Sequence, residues 1–171
     1  MLSQRLPHFN RPIMKVTIAG GSKVESWFDI VSLDPNEERE DEVGLKRSVT
    51  DLMELIKKEK EQFSGRLFIG AVSLYALAHQ TDLKVDGVIA LSGFLPMRKK
   101  LTAVANSDTP LFMGHGTHDP VVPFQWGRES HSILASKGLK YSTFKDYPGL
   151  PHSCDDRELE DLVQFIQSKI N

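Results

Sequence analysis

Val85-Asp86-Gly87-Val88-Ile89-Ala90-Leu91-Ser92-Gly93 and, further on, Pro110-Leu111-Phe112-Met113-Gly114-His115-Gly116 are the stretches whose reading decides the fold. Each is a short, nearly continuous apolar run that stops at glycine. That pattern belongs to a strand buried on both faces, because a strand with one wet face would alternate apolar and polar residues. Working outward, Arg66-Leu67-Phe68-Ile69-Gly70 has the same design upstream, and residues 141–147 supply a fourth strand downstream. Between and after them lie helical patterns at 71–80, 125–137 and 156–169, the last with Leu159, Leu162, Val163, Phe165 and Ile166 on one face. A further amphipathic helix is expected over 42–60, where Val43, Val49, Leu52, Met53, Leu55 and Ile56 recur at helical spacing and lysines gather at the carboxyl end. Strands alternating with helices predict an α/β fold: a parallel sheet with helices on both faces. Chemistry in such sheets sits in the loops at the carboxyl ends of the strands.

Residues 1–26 read as irregular, punctuated by Pro7, Pro12 and Gly20-Gly21, with one short strand candidate at 14–18. An aromatic segment, Ser26-Trp27-Phe28-Asp29-Ile30, and an acidic loop over 34–41 follow. The whole of 1–171 reads as one domain.

The chain has 171 residues, 40% hydrophobic and 26% charged, with a formal net charge of −2, an ordinary globular composition. No basic excess supports nucleic-acid binding. No apolar stretch approaches the roughly 18 residues that a membrane span needs, and no run of signal-peptide length opens the chain. The single cysteine, Cys154, excludes an internal disulfide. A reducing compartment is expected, the cytoplasm with the nucleus as a second location.

Two post-strand loops carry side chains of catalytic type. His115-Gly116-Thr117-His118-Asp119-Pro120-Val121-Val122-Pro123 places an aspartate at the carboxyl edge of one strand, and Tyr147-Pro148-Gly149-Leu150-Pro151-His152-Ser153 places a histidine beyond the next. A buried carboxylate fixes the tautomer of a histidine and stabilises its protonated form, which makes the ring a usable general base. Taken alone, Asp119 could simply start an Asp-Pro turn, and His152 could be an ordinary surface loop residue. Both together, acid before histidine on successive strands, point to the order of a Ser-Asp-His triad. His115 and His118 flank the acid, but no cysteine pair or HExxH spacing accompanies them, so no metal is expected.

These loops, together with Arg11-Pro12-Ile13 through Gly20-Gly21, Ser26-Trp27-Phe28-Asp29-Ile30 and Ala90-Leu91-Ser92-Gly93-Phe94-Leu95-Pro96, are similar to blocks of the phospholipase/carboxylesterase family of α/β-hydrolases, which includes the acyl-protein thioesterases. The resemblance runs in the same order from about Arg5 onward. It implies an α/β-hydrolase fold with Asp119 as triad acid and His152 as triad base, and no cofactor. It implies S-acylated proteins, lysophospholipids or small carboxylic esters as substrates; Trp27, Phe94, Leu95 and Trp126 are candidate substrate-binding residues, although such side chains more often serve core or rim packing.

The chain departs from that pattern twice. It begins after the point where family members carry a Leu-His-Gly-Leu-Gly type loop, so the sheet is expected to be incomplete at its N-terminal strands. The family's nucleophile elbow, Gly-Phe-Ser-Gln-Gly-Gly, has no counterpart, and no G-x-S-x-G occurs anywhere. An ungapped alignment makes Ser73 the nucleophile but puts Tyr75 where the elbow needs a small residue. A gapped alignment matches 71–77 to the helix after the elbow and leaves Ser73 without a catalytic task; it preserves helix length and is preferred. Negligible esterase activity follows, and Leu67, Phe68 and Ile69 are expected to form an exposed apolar edge. The alternatives are a working esterase using Ser73, Asp119 and His152; a catalytically dead homologue holding acyl chains or a protein partner through Trp27, Phe28, Phe94, Leu95 and Trp126; and a remnant that does not fold stably.

Overall fold

The computed structural model describes residues 11–32, 34, 37, 39–62, 64–69 and 72–170. Its elements in chain order are β1 (Ile13–Val16), β2 (Ser22–Glu25), α1 (Glu42–Gln62), β3 (Phe68–Ile69), α2 (Ser73–His79), β4 (Gly87–Leu91), β5 (Leu111–Gly116), α3 (Phe124–Ser136), β6 (Ser142–Tyr147) and α4 (Asp156–Ile170). Strands β3, β4, β5 and β6 form one parallel sheet in that order, and β1 pairs with β2 in a separate antiparallel hairpin.

Each core strand behaves as its composition dictates. All six residues of β5 are buried, as befits a central strand covered on both faces. β6 alternates through its first residues and keeps Lys145 exposed, which suits an edge. Pleating divides β5 between two layers: Phe112 meets Phe165 of α4, and a side chain at Gly114 would collide with Glu158 of α4. The odd-numbered His115 packs on Phe124 and against Gly127 of α3. Helices therefore lie on both faces, as expected. The larger layer carries the main core, where Leu45, Leu77, Leu111 and Leu134 are fully buried.

α1 starts where Asp41 caps it, its carboxylate accepting the Gly44 N–H at 2.8 Å while also accepting the Asp29 N–H at 2.8 Å. It buries Leu45, Val49, Leu52 and Ile56. Val43, expected on that apolar face, is 81% exposed because at 3.6 residues per turn it lies on the side of the helix opposite Leu45 and Leu52.

Two expectations need correction. Residues 13–25 are not irregular with a single strand but a β-hairpin. Gly20 and Gly21 adopt φ of 66° and 77°, which lets the chain reverse cheaply, and Asp29 accepts two 2.6 Å hydrogen bonds from Thr17. The four-residue strands are too short to read from alternation: β1 buries only Val16 fully and leaves Ile13 72% exposed, and β2 is exposed throughout. Residues 1–10 lie outside the described residues. Second, β3 is an edge of the four-stranded sheet, but its side chains are not exposed. Ile69 is buried, Leu67 and Phe68 are half-buried, and the Phe68 ring meets Phe165 at 6.1 Å. The helical layers cover the side chains, leaving only the backbone ladder open among the described residues.

Candidate functional site

Because the four strands run parallel, the segments after β4, β5 and β6 emerge at one edge of the sheet. The segments after β5 and β6 are stitched together. Thr117 N–H donates to the Tyr147 carbonyl at 3.0 Å, His118 N–H to the Leu150 carbonyl at 3.1 Å, and Gly149 N–H to the Thr117 hydroxyl at 3.0 Å. Gly116 is required at this crossing, since any Cβ there would strike the Leu150 carbonyl. Gly149, at φ 79°, turns the second segment back, and buried Leu150 anchors it.

Asp119 and His152 come together on this scaffold. His152 Nδ1 donates to Asp119 Oδ2 at 2.8 Å, while Asp119 Oδ1 accepts the Val121 and Val122 N–H groups at 2.8 and 2.9 Å. The carboxylate is wholly buried, whereas 40% of the His152 side chain is exposed. Burial pushes the Asp119 pKa up; the hydrogen bond from His152 and those from Val122 and Val121 outweigh it, so the pKa lies below the ordinary aspartate value. With its Nδ1 hydrogen committed to the carboxylate, the ring carries its lone pair on Nε2. That is the arrangement a general base needs.

Ser73 has different company. It is the first residue of α2, fully buried, and its hydroxyl donates to the Ile89 carbonyl of β4 at 3.2 Å. Gly70 and Ala71, the middle of the ungapped elbow, lie outside the described residues. His118 Nδ1 shares a 3.0 Å hydrogen bond with the Thr117 hydroxyl, and His115 Nε2 contacts the Val122 carbonyl at 2.9 Å, so both rings are engaged within the protein.

The proposed binding aromatics separate into two settings. Trp27 and Phe94 line a cavity of about 510 Å³ together with Phe28, Leu74, Tyr75 and Ser92. Leu95 and Trp126, with Phe28 and Phe94, line a neighbouring hollow of only about 40 Å³. Leu95 is 1% exposed and its N–H bonds the Ser130 hydroxyl, while Trp126 meets Phe94 edge-on at 5.1 Å and lies under the Arg98 guanidinium. Neither of those two buried residues lines the larger cavity.

Two features escaped the sequence reading. Ser92, just after β4, has φ of 51°, and its buried hydroxyl has no hydrogen-bond partner among the described residues; nothing in Leu91-Ser92-Gly93 marks a strained serine. His115, which in sequence merely flanks the acid without metal-site spacing, has its Nε2 3.4 Å from Asp119 Oδ2. A histidine inside an otherwise apolar strand was the available signal.

Among proteins of known identity, acyl-protein thioesterase 1 of Debaryomyces hansenii is 38% identical over 169 residues, covering 92% of this chain and 72% of that one. Acyl-protein thioesterase 1 of Candida albicans is 35% identical over 174 residues, 93% of this chain and 75% of that one. Among solved structures, Zea mays acyl-protein thioesterase 2 shares the fold at a TM-score of 0.85 with 22% identity, over 95% of this chain and 80% of that one. Arabidopsis thaliana SOBER1 gives 0.81 with 26% identity, over 95% and 82%. The sequence profile of the Phospholipase/Carboxylesterase family matches residues 7–170. The fold is thus that of the α/β-hydrolases, and the chain belongs to the Phospholipase/Carboxylesterase family.

Proposed function

We propose that this chain descends from an acyl-protein thioesterase or carboxylesterase, with Asp119 as the acid and His152 as the base of the ancestral triad, and that it turns over esters negligibly because Ser73 does not serve as nucleophile. The observation that carries this reading is the 2.8 Å Nδ1–Oδ2 contact at the carboxyl edge of the sheet, taken with a Ser73 hydroxyl that is buried and bonded to the Ile89 carbonyl of β4. In the full mechanism a serine attacks the acyl carbonyl, the histidine takes its proton and returns it to the leaving group, and water then releases the acyl group. Without an elbow serine, His152 can activate only water. The elbow's backbone N–H is lost with it, and such a donor is worth on the order of 100- to 1000-fold in rate.

The relatives' names support acylated proteins as the ancestral substrate class, and the family description supports phospholipid or carboxylic esters beside them; the proposed setting is the cytoplasm, with the nucleus as a second location. Treating the full chain with a fluorophosphonate probe tests the proposal by intact mass. No adduct is expected, nor hydrolysis of an S-palmitoylated peptide above the buffer rate. An adduct on Ser73 that disappears, with turnover, in Ser73→Ala would sink it.

The cavity of about 510 Å³ favours a second reading, a dead homologue that retains acyl chains, since small-molecule sites commonly span about 300–1,000 Å³ with apolar and aromatic walls. Saturable binding of an S-acylated peptide without turnover is its expected outcome; an unsaturable titration rejects it.

A further inference from the structure

His115 occupies an expensive position. It is completely buried in β5, packed between Phe124 and Gly127, and its Nδ1 has no hydrogen-bond partner among the described residues. An apolar residue would fill that space without an orphaned nitrogen. The other nitrogen accounts for the histidine. Nε2 faces the Val122 carbonyl at 2.9 Å and Asp119 Oδ2 at 3.4 Å. Both are acceptors, so Nε2 carries the hydrogen and Nδ1 the lone pair. The shorter contact is a full hydrogen bond and the longer one lies beyond good geometry, so the principal bond is to Val122.

Val122 in turn donates its N–H to Asp119 Oδ1 at 2.9 Å. The imidazole therefore holds the turn that holds the carboxylate. Resting on the assignment of Asp119 and His152 as acid and base, we infer that His115 is a positioning residue. Through the Val122 carbonyl it fixes the turn over residues 119–122, and so aims Asp119 Oδ2 at His152 Nδ1. Gly127 belongs to the same device, because any side chain there would run into the His115 ring.

The test reads the hydrogen between His152 and Asp119 directly, by ¹⁵N-edited proton spectroscopy of the full chain, and needs no turnover. The unmodified protein is expected to give a downfield His152 Nδ1–H resonance. His115→Leu is expected to lose it through exchange with water, whereas His115→Gln retains it, since the glutamine amide can donate where Nε2 does. If His115→Leu does not fold, Gly127→Ala decides: it keeps the imidazole but forces the ring out of its present seat by collision at Nδ1, and the same loss is expected. A cooperatively melting His115→Leu or Gly127→Ala with the resonance intact overturns the inference. So does loss in His115→Gln as well, which would leave His115 a packing role alone. An unmodified protein without the resonance removes the acid–base pair itself, a different failure.

Discussion

At the scale of single residues, the chain contrasts two buried carboxylates. Asp119 has a donor for each oxygen, and its pKa is held down. Glu158 is fully buried against β5, where the Cys154 thiol is the group that contacts its carboxyl; burial raises its pKa above the ordinary 4.5, and the thiol contact offsets only part of that rise. The sign follows from linkage: a carboxyl that binds its proton more tightly when folded costs stability as pH rises from the unfolded pKa through the folded one. Glu158→Gln has no such proton to lose. Its melting temperature, measured against that of the parent from pH 4 upward, is expected to pull ahead as pH rises. A pH-independent difference would reject this account.

At the scale of elements, α2 is the wedge between sheet and outer helix. Ser73 through Ala78 are all buried, and Asn106 fastens its end by donating to the Leu77 and Gln80 carbonyls at 3.0 and 2.5 Å. A helix this short draws its stability from packing, since isolated helices of such length are marginal. Leu77 is wholly buried, so Leu77→Ala is expected to cost about 2–5 kcal/mol in denaturant unfolding, as core truncations of leucine do. Ser73→Ala in the same helix removes only a 3.2 Å hydrogen bond and should cost about 1 kcal/mol. A larger loss from Ser73→Ala than from Leu77→Ala would contradict the wedge.

At the scale of the whole molecule, an unpaired backbone edge and an apolar helix stripe both face water among the described residues. The open ladder of β3 borders the face on which α4 lies, and α4 leaves Leu159 and Val163 47% and 50% exposed. Unpaired edges and contiguous apolar stripes promote association, so light scattering should rise with protein concentration and fall in Leu159→Lys/Val163→Glu; unchanged scattering would rule out this stripe. Much of this organisation was readable from residue order. The buried runs in β4 and β5 specified a parallel sheet, because only strands covered on both faces can be apolar throughout. Asp119 and His152 were legible because strand-end loops are where such sheets keep their chemistry. The hairpin was not, since it buries too little to leave a periodic trace. What the sequence determined by itself was the α/β order, the acid before the histidine and the missing G-x-S-x-G, all properties of neighbouring residues and spacing. Tertiary structure alone decided that Ser73 turns to Ile89, that His115 reaches Val122 and Asp119, and that Glu158 is buried. Those outcomes depend on which side chains meet when distant segments pack, and linear order does not encode that distance.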